Sequence, residues 1–83
     1  MIECTITTNT GLEARLAALF VQTASKFSSS VFVKLDNKKV NAKSLLGIIS
    51  IGISSGHKIT IIADGSDAEA AIAELRGFFA TNR

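Results

Sequence analysis

Asn41-Ala42-Lys43-Ser44-Leu45-Leu46-Gly47-Ile48-Ile49-Ser50-Ile51-Gly52 places a serine directly before a run too apolar for a short helix to hide on one side. The Ser44 hydroxyl has the chemistry of an N-cap, because it can accept from the backbone N–H groups that open a helix and lack partners within it. The spacing predicts a helix starting at Leu45. Five of the seven positions from Leu45 to Ile51 are aliphatic, whereas a helix on a small domain normally carries one apolar stripe and a polar back. Some of these side chains must therefore face water or a partner. Two readings stay open. In one, Ser44 is an ordinary cap on a well-buried helix. In the other, Ser44 takes a phosphate beside an apolar docking patch, and the helix N-terminus stabilises that anion by roughly 0.3 to 1 kcal/mol.

A helix at this point orders the rest of the chain. Upstream, Val31 to Leu35 is β-branched and alternating, Asp36-Asn37 tolerate the left-handed turn region, and Lys38 to Val40 resumes an extended pattern, so a hairpin is expected. Before it, from Ala14 to Phe27, Ala17, Phe20, Val21, Ala24 and Phe27 recur at helical steps without Gly or Pro. Ser28-Ser29-Ser30 breaks that helix. Met1 to Thr7 alternates with Ile2, Cys4 and Ile6 on one side, which is a strand with one wet face, and Thr8-Asn9-Thr10-Gly11 is a loop. Downstream, Gly52 to Gly56 is a loop and Lys58 to Ala63 a strand inside the sheet. Asp64-Gly65-Ser66 turns the chain, Ser66 with Glu69 reads as a capping box, and Ala68, Ala71, Ile72, Leu75, Phe78 and Phe79 trace one face of a last helix. The order strand, helix, strand, strand, helix, strand, helix buries its apolar faces most simply as two layers. The class is α+β, with helices on one face of an antiparallel or mixed sheet.

The 83 residues make one domain, spanning 1–83. One cysteine, Cys4, leaves no intramolecular disulfide and suits a reducing, cytoplasmic setting. An acid at Glu3 and no long apolar run argue against a signal peptide or membrane span. A formal charge of +2 and the absence of Tyr and Trp argue against direct nucleic-acid binding. Lys34, Lys38, Lys39 and Lys43 gather mid-chain, as a solvated face or a steering patch for an acidic partner. There is no phosphate-loop or dinucleotide motif, and one His and one Cys far apart make no metal site, so no enzyme and no cofactor are expected. His57 reads as a solvated turn residue. Cys4 points toward the core, which makes it a weak nucleophile candidate, and Glu13 and Arg15 read as first-turn residues of the first helix.

Two stretches resemble the HPr family, the histidine-containing phosphocarriers of the bacterial sugar phosphotransferase system. Gly11-Leu12-Glu13-Ala14-Arg15-Leu16-Ala17-Ala18 is similar to the family's Gly-Leu-His-Ala/Thr-Arg-Pro-Ala motif, and Asn41 to Gly47 resembles the regulatory serine site of Gram-positive members. The likeness covers essentially the whole chain. It implies an open-faced β-sandwich with four antiparallel strands and three helices on one face. The family's phosphorylatable histidine aligns with Glu13 and its proline with Leu16, so the phosphocarrier activity is not carried over. Arg15 matches the family arginine, and its simplest role here is to pair with Glu13 or a partner. The pattern resembles the catabolite-repression branch, the Crh type, which lacks the histidine and keeps the serine. That implies phosphorylation of Ser44 by HPr kinase/phosphorylase, then binding to a LacI-type catabolite control protein as corepressor, with Enzyme I as a weaker partner. Lys43, Leu45, Leu46, Ile49 and Arg15 are the implied partner-facing residues, whereas Ile48 and Ile51 turn inward. The alternatives are a divergent carrier that accepts phosphate at Glu13, or an interaction protein with no phosphorylation.

Overall fold

The computed structural model describes the backbone of residues 1–81 and the side chains through Phe79. The elements are β1 (Ile2–Thr7), α1 (Ala14–Ser25), β2 (Ser30–Leu35), β3 (Lys38–Asn41), α2 (Leu45–Ile51), β4 (Lys58–Asp64) and α3 (Ala68–Thr81). The strands form one antiparallel sheet in the order β1-β4-β2-β3, which settles the choice between antiparallel and mixed. β4 lies between β1 and β2. Its alternation puts Ile59, Ile61 and Ala63 on the helix side together with Val31, Val33 and Leu35 of β2, all buried, while Ile2, Cys4 and Ile6 of β1 are half-buried beside them. Cys4 thus lies at the margin of the core.

The helices close this face. Ala17, Phe20 and Ala24 of α1, Ile48 and Ile51 of α2, and Ala71, Ile72, Leu75, Phe78 and Phe79 of α3 join the same core. Phe20 meets the ring of Phe78 edge-on, with centroids 5.4 Å apart and planes at 84°, a geometry that suits aromatic quadrupoles. The hairpin between β2 and β3 turns through Asp36 at φ 55, the left-handed conformation that the Asp-Asn pair predicts.

Two local expectations fail for physical reasons. α1 ends at Ser25 rather than Phe27, and the amides of Lys26 and Phe27 bond back to the carbonyls of Thr23 and Ala24 in a tighter closing turn. The capping box at Ser66 and Glu69 does not start α3. The Ala71 amide donates to the Asp67 carbonyl at 2.9 Å, so Asp67 occupies the position before the first helical residue. Its carboxylate turns to the preceding serine turn instead of the helix. It accepts from the backbone amides of Ser28 and Ser29, each at 2.9 Å, and from the Ser29 hydroxyl. Those bonds, led by the Ser29 hydroxyl, hold the Asp67 carboxyl below its ordinary value. The crossing is tight: Gly65 lies at φ 151, and a Cβ there would sit 2.7 Å from Ser29 Cα. Among the described residues, no helix is long and apolar enough to cross a membrane.

Candidate functional site

β3 delivers the chain to the serine through a closely bonded turn. The Ala42 amide donates to the Val31 carbonyl at 2.8 Å, and Ala42 is buried. Asn41 then accepts twice, its side-chain Oδ1 from the Lys43 amide at 2.8 Å and its carbonyl from the Ser44 amide at 3.0 Å. Ser44 is extended at φ −106, ψ 113, and its hydroxyl accepts from the Gly47 amide at 3.1 Å, so it is the N-cap its position predicts. Gly47 packs closely under it: a Cβ there would stand 3.3 Å from both Ser44 Oγ and Val40 Cβ. Gly52 closes the helix at φ 70 with its amide on the Ile49 carbonyl.

The apolar surplus divides cleanly. Ile48 and Ile51 enter the core, whereas Leu45 is 42%, Leu46 81% and Ile49 46% exposed. Ser44 itself is half-buried beside them. The four lysines do not form one surface. Lys34, Lys38 and Lys39 are exposed on the hairpin, with Lys34 opposite Lys39 across the strands and Lys39 Nζ 4.8 Å from the centre of the Phe32 ring. Lys43 is half-buried and points back to the end of α1, where its Nζ donates to the Phe27 carbonyl at 2.7 Å. No charge pattern in the sequence signals that bond.

The second stretch singled out by the sequence lies at the start of α1. Glu13 is the residue before the first helical position, at φ −79, ψ 177, and its side chain makes no capping bond. Arg15 is exposed nearby, and no ion pair joins it to Glu13, so of the two expected roles the pairing with Glu13 is not made. Thr10, Gly11, Glu13, Ala14, Arg15 and Leu16 line an open hollow of about 360 Å³. The loop leading there is fastened to the one before β4. Leu12 donates its amide to the Ile53 carbonyl at 3.0 Å, and buried Thr8 donates its hydroxyl to the Ser54 carbonyl at 2.6 Å.

His57 completes that clasp and is more than a solvated turn residue. Its Nδ1 accepts from the Ser54 amide at 3.0 Å, and its own amide donates to Thr8 Oγ1 at 3.2 Å. Sequence reasoning missed Thr8, Ser54 and Asp67. Only Asp67 carried a signal, as an acid immediately before a helical apolar pattern.

The chain is thus an open four-stranded antiparallel sheet under three helices, with Leu45, Leu46 and Ile49 exposed behind a serine and a second loop at residue 13. The chain matches the family described as "PTS HPr component phosphorylation site" over residues 2–81 and belongs to the HPr family. Within it, the chain is close to Crh. It is 51% identical over 69 residues to the HPr-like protein Crh of Bacillus subtilis, covering 83% of this chain and 81% of the relative. The match to the HPr-like protein Crh of Halalkalibacterium halodurans is 52% over 69 residues, covering 83% and 82%. Among solved structures, HPr-C-His from Thermoanaerobacter tengcongensis superposes with a TM-score of 0.91 at 54% identity, over 98% of this chain and 93% of that one. The selenomethionyl crystal structure of Bacillus subtilis Crh superposes at 0.79 and 46% identity, over 92% and 87%. HPr and Crh are carriers or regulators and not enzymes, and this chain is an HPr-like regulatory protein of the phosphotransferase system.

Proposed function

We propose that Ser44 is the working residue of this chain, phosphorylated by HPr kinase/phosphorylase, and that the modified protein acts in the cytoplasm as corepressor for a LacI-type catabolite control protein. The observation that carries this reading is the juxtaposition at α2, where Leu45, Leu46 and Ile49 lie exposed directly after the half-buried N-cap serine. In the modification, Ser44 Oγ attacks the terminal phosphorus of ATP. The bond to ADP breaks, and the hydroxyl proton passes to a base of the kinase. The product brings about −1.5 to −2 charge to the edge of an apolar patch. A basic side chain of the partner can then pair with the phosphate while the leucines and isoleucine fill an apolar groove, with mostly exposed Leu46 having the most apolar area left to bury. Arg15, exposed and without an ion-pair partner among the described residues, is a further contact for an acidic group of the partner. Glu13 has no imidazole to carry phosphate, which supports regulation over phosphate relay, with Enzyme I reduced to a weak partner.

Incubation with ATP and the kinase, read by intact mass, should add one phosphate to the wild type and none to Ser44→Ala. The phosphorylated form should then bind the control protein and the unmodified form should not. Labelling that survives Ser44→Ala overturns the site. A hydroxylamine-sensitive phosphate acquired from phosphoenolpyruvate through Enzyme I would favour carriage at Glu13 instead.

A further inference from the structure

We propose that Lys43 and Asn41 are positioning residues for the modification of Ser44, locking from behind the turn that presents its hydroxyl. This rests on the reading of Ser44 as the modified residue. A polar turn ahead of a short helix would ordinarily sample many conformers, and each residue fixed loses backbone entropy. Here residues 41–44 are held at four points: the Ala42 amide on Val31, the Lys43 amide on Asn41 Oδ1, the Ser44 amide on the Asn41 carbonyl, and Lys43 Nζ on the Phe27 carbonyl. The last bond is of a different kind. It spans from the turn to the end of α1 and commits a half-buried ammonium to a neutral carbonyl, although lysines near a surface normally keep that group in water.

The segment it grips is itself fixed on both sides. Asp67 holds the amides of Ser28 and Ser29 directly after Phe27, and an exposed pair of Lys26 with Glu74 adds a weaker tie before it. Lys43 therefore ties the serine turn to the frame of the helical layer. The Ser44 hydroxyl meanwhile turns the other way, toward Gly47. Lys43 is a brace in the unmodified protein, whatever contact it makes after phosphorylation.

A kinase that takes Ser44 in this conformation binds only the fraction of molecules that present it. Lowering that fraction raises the apparent dissociation constant by the same factor without changing the chemical step. In steady-state phosphorylation by HPr kinase/phosphorylase with ATP, Lys43→Met and Asn41→Ala should each raise KM for the protein substrate by about five- to tenfold, with kcat within about twofold of wild type. Lys43→Arg, which can still reach Phe27, should recover most of the loss. In the free proteins, amide exchange at Lys43 and Ser44 should quicken in both variants, and the Ser28 amide resonance should shift in Lys43→Met. Unchanged exchange at residues 43 and 44 overturns the lock with no reference to any kinase. A KM raised in Lys43→Met but normal in Asn41→Ala also overturns it, since Lys43 would then be a direct charge contact. A wild type that gains no phosphate by mass refutes instead the assignment of Ser44, and the exchange data still decide the brace.

Discussion

The Asp67 carboxylate accepts the Ser29 backbone amide and the Ser29 hydroxyl, and so pins the start of α3 to the turn that follows α1. The ionised form makes these bonds, so folding favours ionisation and the folded pKa is depressed. The stabilisation is fully present above the ordinary aspartate value of about 3.9 and is lost as pH falls through the lower folded value. Urea midpoints of the wild type should therefore decline below about pH 4, and Asp67→Asn should be less stable at neutral pH with a flatter decline. Parallel profiles for the two proteins would remove Asp67 from the account.

Gly65 makes that crossing possible. Gly65→Ala places a methyl group 2.7 Å from Ser29 Cα, at a backbone angle unfavourable to L-residues. A loss of at least 1 kcal/mol is expected, which for a domain of this size lowers the thermal midpoint by about 4–8 °C per kcal/mol. Differential scanning calorimetry measures it.

The two faces of α2 should respond oppositely to truncation. Ile48→Ala empties a fully buried site and should cost about 2–5 kcal/mol of stability. Leu46→Ala removes an 81% exposed side chain and should change stability by under about 0.5 kcal/mol. The same Leu46→Ala should weaken binding of the Ser44-phosphorylated protein to the control protein, read by titration calorimetry.

The cap and the modification can be separated. Ser44→Ala loses the bond to the Gly47 amide and should cost about 1 kcal/mol, whereas Ser44→Asp can still cap the helix and should retain most of the stability. Neither variant should gain phosphate.

Position 13 invites a gain-of-function test. The open hollow, Arg15 and the fastened loop are all in place with glutamate rather than histidine at position 13. Glu13→His should acquire an acid-labile phosphate from phosphoenolpyruvate and Enzyme I, with the wild type remaining unlabelled under the same conditions. Failure of the variant would point to Leu16, which stands where the family has proline.

Much of this architecture is legible in the residues because local period and burial agree. The isoleucine-rich run from Lys58 to Ala63 and the helical spacing that begins at Ala14 specify elements that tertiary contacts then reinforce, although α1 stops at Ser25 rather than Phe27. That some apolar side chains of α2 stay exposed was readable as a surplus that seven residues could not bury on one side, while the choice of Leu45, Leu46 and Ile49 followed only from the resemblance to the HPr family. What escaped were bonds between segments distant in sequence. Nothing local tells Lys43 to seek Phe27, Asp67 to leave its own helix for Ser28 and Ser29, or His57 to fasten Thr8 and Ser54. Such partners are chosen by the packing of whole elements, and a linear pattern carries no record of it.

The sheet order has a bearing on how the chain is made. Ile2, near the start, pairs with Ala63 on β4, and β2 pairs with the other side of that same strand. During synthesis, the first strand leaves the ribosome without its pairing partner and the hairpin with one side of β2 unpaired, since the strand that joins them comes late. High contact order of this kind slows folding. Assembly must wait until residues 58–64 emerge, and a translational pause before that point would leave apolar strand faces uncovered.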